Sequence, residues 1–235
     1  MLPPASGLTW QFAALKRHLP DDVPLYGLQA PRLSRATDLP TTLAALADEH
    51  ARHVTEIAPT GPVRLLGWSF GGFLAHELAC RLRAAGREVT FVGMLDAHRS
   101  GGTSSTDLGG LLRELGHEPP AGAEPGLDDA VALLRAGGDG VAAVLTDEQV
   151  AAVVANYLDS DRMIDSARPG VLDADVFFVD ATVPEQGFSG SASAGWRDHV
   201  RGELHVEQVA CGHSQLLDHA VLAQLAPALA AALAT

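Results

Sequence analysis

The chain has 235 residues, a formal net charge of −13, 47% hydrophobic residues and two cysteines. The length suits one domain with a substantial core. The acidic balance excludes nucleic acid as a partner, no stretch reaches the roughly 20 apolar residues of a membrane span, and Cys80 and Cys211 make no disulfide framework. Met1-Leu2-Pro3-Pro4 lacks the basic and apolar regions of a signal peptide. A cytoplasmic location is expected.

Leu8, Phe12, Leu15 and Leu19 recur at helical spacing, so a first helix with one buried face is predicted, stopped by Pro20. Val23 to Leu28 reads as a short strand. Thr41 to Ile57 reads as an amphipathic helix with Leu43, Leu46, Ala47, Val54 and Ile57 inward. Pro59 to Pro62 breaks it. Val63 to Leu66 is then a buried strand, and Gly67-Trp68-Ser69-Phe70-Gly71 fits G-x-S-x-G, the strand–turn–helix elbow that raises a serine hydroxyl above a sheet. The helix after Ser69 is apolar nearly all round at first, with Gly86 suited to its C-terminal end. Val89 to Leu95 is a continuous apolar strand ending in Asp96.

Residues 99–168 change character: Gly, Ser, Pro and acidic residues link three short helical patterns. The first runs over Leu108 to Leu115 and is closed by Gly116. The second carries Leu127, Val131 and Leu134. The third opens with a Thr146/Gln149 capping box and continues to Leu158. They read as a helical insertion across the sheet, with Asp159, Asp161 and Asp165 on a solvated face. Asp175 to Asp180 is a strand, Trp196 to Val200 suggests a helix, Leu204 to Cys211 is a last strand, and His219 to Ala234 is an amphipathic surface helix. Strands alternating with helices predict an α/β fold with a mostly parallel sheet.

A serine hydroxyl needs a base, and the base needs an orienting carboxylate. Partners are sought just after strands, where ligands gather in parallel sheets. His213 follows the last strand after Gly212. Asp96 and Asp180 each close an apolar strand, and spacing alone does not choose between them. The Phe70 amide, at a helix N-terminus, points at charge forming beside Ser69. Ala5 offers the first free amide after Pro3 and Pro4, which have no N–H. Bland readings cover the rest. His50 and His53 are packed or rim histidines, not metal ligands, and no metal site is expected. His76 is hydrogen-bonded within the buried helix, and Cys80 and Cys211 are packing residues. Trp68 walls the site, His98 is a further candidate for its lining, and Trp10 lines it or packs under the loop.

Several runs come in the order and spacing of one family: Leu2-Pro3-Pro4-Ala5-Ser6-Gly7, Trp10-Gln11-Phe12, Tyr26-Gly27-Leu28-Gln29-Ala30-Pro31, Gly67 to Gly72, Met94-Leu95-Asp96 and Gly212-His213. Together they resemble the terminal (type I) thioesterase domains of nonribosomal peptide synthetases, of the α/β-hydrolase superfamily. The resemblance implies an α/β-hydrolase fold and a serine thioesterase that takes a peptidyl or acyl chain from the phosphopantetheine arm of an upstream peptidyl carrier protein domain. Hydrolysis or macrocyclisation would then release the chain, with no tightly bound cofactor, in a monomeric domain of secondary metabolism. It implies Ser69, Asp96 and His213 as catalytic residues, with Asp180 the alternative acid, Ala5 and Phe70 as oxyanion donors, and residues 99–168 as a lid. In the family a strand leads into the Pro-Pro-Ala loop, where this chain has only Met1-Leu2. A fragment of a larger synthetase, lacking that strand, is therefore expected. A stand-alone editing (type II) thioesterase or a general esterase is the alternative. A non-catalytic domain that only binds a carrier is disfavoured because all three side chains are present.

Overall fold

The structure is a computed structural model of the chain and describes residues 1–19, 23–99, 108–119, 125–136, 144–185, 188 and 190–234. Pro20, and parts of the insertion between residues 99 and 168, lie outside the described residues. Among the described residues the sheet has strands β1 (Val63–Trp68), β2 (Val89–Leu95), β3 (Val176–Ala181) and β4 (Leu204–Val209), in the order β1-β2-β3-β4 and parallel throughout.

Successive side chains of a strand point to opposite faces, and here both faces are covered. Leu65, Val92 and Phe178 pack with α1 (Leu43–Ile57) and α2 (Phe70–Ala84) on one side. Leu66, Trp68, Phe91, Leu95, Phe177 and Val179 pack against a 3-10 helix (Trp10–His18) and α6 (His219–Ala234) on the other. This explains why the strands read as unbroken apolar runs. Thr42 caps α1 by accepting the Ala45 N–H at 3.1 Å, supplying one of the donors a helix start leaves orphaned. Between β2 and β3 lie α3 (Gly109–Glu114), α4 (Leu127–Ala136) and α5 (Asp147–Ser166), and the Thr146/Gln149 capping box is present.

Three expectations need correction. The first helix is a 3-10 helix of nine residues, which buries Phe12 and Leu15. Val23 to Leu28 forms no strand, because a strand needs a ladder partner. Among the described residues its backbone partner is Met1, which accepts from Leu28 N at 3.0 Å and donates to the Tyr26 carbonyl at 2.8 Å, while the Lys16 ammonium donates to the Val23 carbonyl at 2.9 Å. Ile57 is 44% exposed and, with Val54, lines an apolar groove beside β1. The third helical pattern is α5, which runs 20 residues to Ser166, because Ser160 and Met163 continue the buried face begun by Val153 and Tyr157.

Leu2 makes a single parallel bridge to Gly67, with its N–H on the Leu66 carbonyl at 2.8 Å. The opening loop is thereby laid over the start of α2.

Candidate active site

The parallel register aligns the carboxyl ends of the strands: Trp68 pairs with Leu95, Leu95 with Val179, and Ala181 with Val209. Ser69 and Asp96 follow the first two strand ends directly, and His213 follows the fourth after a short turn. Ser69 takes φ 56° and ψ −123°, a strained conformation for a residue with a side chain. The neighbouring glycines make it attainable. A Cβ on Gly67 would collide with the Gly71 carbonyl, and one on Gly71 would come within 2.7 Å of the Leu2 carbonyl. The Ser69 N–H is tied to the Leu95 carbonyl at 2.8 Å.

His213 Nε2 lies 3.0 Å from Ser69 Oγ, and His213 Nδ1 lies 2.7 Å from Asp96 Oδ2. Asp96 is buried, its own φ is 46°, and its other oxygen accepts the Ala181 N–H at 3.0 Å. Burial by itself would raise its carboxyl. Hydrogen bonds from His213 and His98, with the charges of both rings, outweigh burial and hold it at about 2. His98 Nε2 approaches Asp96 Oδ2 at 3.2 Å. The arrangement lets a hydroxyl pass its proton to an imidazole whose second nitrogen is held by an anion.

Asp180 is placed elsewhere. Its carboxylate accepts from Ser193 N at 2.9 Å, Ser193 Oγ at 2.8 Å and Ser191 Oγ at 2.7 Å, pinning the loop before the 3-10 helix Ser193–His199. Donor atoms of Asp96, His98 and His213 lie within 4.8 Å of one another, so a cation there would compete for the nitrogen–carboxylate contacts that lead to Ser69.

A cavity of about 200 Å³ opens over Ser69 and is lined by Ala5, Trp68, Phe70 and His98 among others. Its far wall comes from the insertion, through Gly110 and Glu114 of α3 and Tyr157, Ser160 and Ile164 of α5. Trp68 is buried, with its ring 5.3 Å from that of His213. Trp10 is 37% exposed and does not line this cavity. His50 is buried with neither ring nitrogen partnered among the described residues, and burial, then the neighbouring His53, lower it to about 4. His76 Nε2 lies 2.9 Å from the His199 carbonyl. Cys211 is buried and packs below the site.

Sequence reasoning missed three residues of this region. Phe188 stacks on His213. Glu185 Oε2 accepts both the N–H and the hydroxyl of Ser214, each at 3.0 Å. Glu114 lines the cavity and reaches the opening loop. Each acts through a contact far along the chain, and no local pattern announces it.

A parallel sheet covered on both faces, with a serine on a strained elbow and an imidazole and carboxylate on later strand ends, defines the α/β-hydrolase fold. Within that fold the chain belongs to the thioesterase domain family, whose description matches residues 1–232. It is 31% identical to a dimodular nonribosomal peptide synthase of Bacillus subtilis over 97% of this chain and 10% of that protein. It is 28% identical to enterobactin synthase component F of Escherichia coli over 98% of this chain and 17% of that protein. The chain thus spans between about a tenth and a sixth of these two relatives. Among solved structures, the NocB thioesterase domain in covalent complex with a fluorophosphonate nocardicin G analog superposes with TM-score 0.73. It is 27% identical, covering 98% of this chain and 91% of that one. A four-domain nonribosomal peptide synthetase superposes with TM-score 0.81 at 22% identity over 96% of this chain and 18% of that one, which speaks to the fold.

Proposed function

We propose that this domain releases a peptidyl or acyl chain from the phosphopantetheine thioester of an upstream carrier protein domain, within a cytoplasmic multidomain synthetase. The observation that carries the reading is the continuous path from Ser69 Oγ through the His213 ring to Asp96, at 3.0 and 2.7 Å. Ser69 Oγ attacks the thioester carbonyl carbon while His213 Nε2 takes its proton. The carbonyl electrons move to oxygen, where the N–H groups of Ala5 and Phe70 receive the charge. Collapse breaks the carbon–sulfur bond, and His213 returns the proton to the departing thiolate. Water, or an amine or hydroxyl of the chain itself, then attacks the ester with His213 again as base, and Ser69 regains its proton. Asp96 holds the imidazole in the tautomer with Nε2 free to accept and stabilises the imidazolium. The substrate's own pantetheine arm supplies the reactive thioester, so no bound cofactor enters these steps. The relatives' membership of synthetases many times longer than this chain supports a carrier domain as the donor.

Residues 99–168 act as the lid over the acyl chain in this reading. It also includes a further strand preceding Met1. Support comes from the outer edge of β1, where Leu2 makes one bridge, and from the apolar groove of about 250 Å³ beside it, lined by Leu25, Leu28, Val54, Ile57 and Leu65.

The test is intact mass after incubation with a carrier protein bearing a peptidyl-phosphopantetheine thioester. An acyl adduct on the wild type, absent from Ser69→Ala, is the expected result, and the mass of the freed product separates hydrolysis from cyclisation. Turnover of small free esters with no adduct from the carrier would replace this reading by that of a general esterase.

A further inference from the structure

Two side chains of the insertion close on one residue of the opening loop from opposite sides. Ser6 is buried. Its N–H donates to Glu114 Oε1 at 2.9 Å, across 108 positions of sequence, and its carbonyl accepts from Asn156 Nδ2 at 3.2 Å. The next residue is held differently. Gly7 is tied by backbone bonds alone, its N–H to the Pro4 carbonyl and its carbonyl to the Ala30 N–H, both at 2.9 Å.

We propose that Glu114 and Asn156 are positioning residues for the oxyanion donor: by gripping Ser6 on both sides they orient the Ala5 N–H towards the carbonyl oxygen of the acyl group. The inference rests on the reading of Ala5 as a donor. The orientation of the Ala5 amide depends on the peptide planes around it. On the upstream side the rings of Pro3 and Pro4 fix φ. On the downstream side the Ala5–Ser6 plane carries the N–H that Glu114 accepts. Without that acceptor, the Pro4 carbonyl would still hold the Gly7 N–H, but the Ala5–Ser6 plane would lose the side-chain acceptor that fixes its tilt.

The contacts around Ser6 leave no slack. A Cβ on Gly7 would collide with the Asn156 amide, and a Cβ on Gly110 would collide with the Tyr157 hydroxyl, so α5 approaches both the opening loop and α3 at close range. Glu114 is a costly residue for this place. Burial pushes its carboxyl up to about 7, and the hydrogen bonds from Ser6, which pull it down, do not offset the burial. Its neighbours Leu111 and Leu112 are buried apolar side chains, and a leucine would continue that face. What a carboxylate adds is an acceptor for the Ser6 N–H. The same two helices also wall the cavity over Ser69, so the seat of the acyl chain and the orientation of the donor are fixed together.

The experiment compares wild type with Glu114→Leu, Glu114→Gln, Asn156→Leu and the Glu114→Leu/Asn156→Leu pair. It reads kcat and KM on an acyl N-acetylcysteamine thioester, the rate of Ser69 labelling by a fluorophosphonate, and the thermal midpoint. Glu114→Leu is expected to lower kcat and the labelling rate about 10- to 100-fold with KM nearly unchanged, the penalty of a misplaced donor. Glu114→Gln, whose amide oxygen accepts the same N–H, is expected to restore most of the loss. The pair is expected to lose less than the product of the single losses, because both residues act on one peptide segment. Wild-type kcat in a folded Glu114→Leu, a Gln variant as slow as the Leu variant, or a loss confined to KM would each overturn the inference. Should Glu114→Leu fail to fold, Asn156→Leu decides: an unchanged kcat overturns the inference, and a fall in kcat at constant KM upholds it. A wild type that neither labels nor turns over removes the thioesterase reading itself, and this inference with it.

Discussion

Phe188 lies face to face with His213, ring centroids 3.6 Å apart and planes within 8° of parallel. The phenyl ring covers one side of the imidazole that reaches Ser69, while the Trp68 ring stands 5.3 Å away at a tilt. Phe188 is held by a reciprocal pair of backbone bonds with Glu185, at 2.8 and 3.0 Å, and Glu185 in turn accepts from Ser214 beside the histidine. The imidazole is thus fixed through its face by stacking and through its edge by Asp96. An aromatic pair of this kind contributes about 0.5–1.5 kcal/mol. Phe188→Ala is accordingly expected to lower kcat about 2- to 10-fold, and to raise the proportion of hydrolysed over cyclised product by admitting water to the imidazole. Product masses from a macrocyclising substrate check this. An unchanged kcat and product ratio would show that the stacked ring does nothing for the base.

The two strand-end aspartates separate by variant. Asp96→Asn leaves the shape but presents the wrong hydrogen-bond partner to His213 Nδ1, and a loss of about 10³- to 10⁴-fold in kcat is expected. Asp180→Ala removes the acceptor of three hydrogen bonds from Ser191 and Ser193. It is expected to cost about 1–3 kcal/mol of stability through the buried groups left unpaired, with kcat far less affected than in Asp96→Asn. Chemical denaturation and steady-state kinetics on both variants give the comparison. The reverse pattern would make Asp180 the orienting acid.

A buried histidine and a partly buried glutamate give the stability opposing pH slopes. His50 is held at about 4, below its ordinary value, so the unfolded chain binds more protons between about 4 and 6.5. Stability from this group is full above that window and is lost as pH falls through it. Glu114 is raised to about 7, so the folded chain binds more protons between about 4.5 and 7. Its contribution is full below that window and is lost as pH rises through it. The slopes oppose each other where the windows overlap. His50→Leu should remove the first, and a stability–pH curve that then falls more steeply from about pH 4.5 to 7 is expected. Glu114→Gln should remove the second and leave a curve that rises with pH. Thermal midpoints across pH 4–8 test both, and identical curves for wild type and variants would refute the assignment.

An upstream strand is testable directly. A chain extended before Met1 by residues that alternate apolar and polar side chains should pair along β1 and fill the groove of about 250 Å³. A higher thermal midpoint is expected, together with slowed amide exchange at Arg64 and Leu66, which face the open edge. An extension that stays unprotected and leaves the midpoint unchanged would show the groove to have another purpose.

Much of the fold was legible because its causes are local. β2 covers the residues of the apolar run from Val89 to Leu95, and the Thr146/Gln149 box forms at the start of α5. Val23 to Leu28 misled because its residues suit a strand while pairing depends on a neighbour, and Met1 supplies only two bonds. How far α5 runs past Leu158 was not legible, because its aspartates mask the inward face that Met163 extends. Ser69, Asp96 and His213 could be named from strand ends, and the folded chain brings them together. Spacing alone did not choose between Asp96 and Asp180, because that choice depends on where a carboxylate points after its strand. Glu114 and Phe188 carry no such mark. A glutamate after two leucines and a phenylalanine in a polar loop become informative only once Ser6 and His213 lie against them.

The division of labour between sheet and insertion has a consequence for descent. Ser69, Asp96 and His213 hang from strand ends whose spacing is set by backbone pairing, and that pairing is indifferent to what is spliced between β2 and β3. The wall of the cavity across from Ser69 is drawn largely from that spliced stretch, through Gly110, Glu114, Tyr157, Ser160 and Ile164. On the proposed function, reactivity and choice of cargo then rest on separate parts of the chain. If the proposed function holds, exchanging the stretch for one of another length or composition is expected to change the product while the proton-relay geometry stays intact. The grip of Glu114 and Asn156 on Ser6 limits that freedom, since a replacement must again present an acceptor and a donor to the same loop.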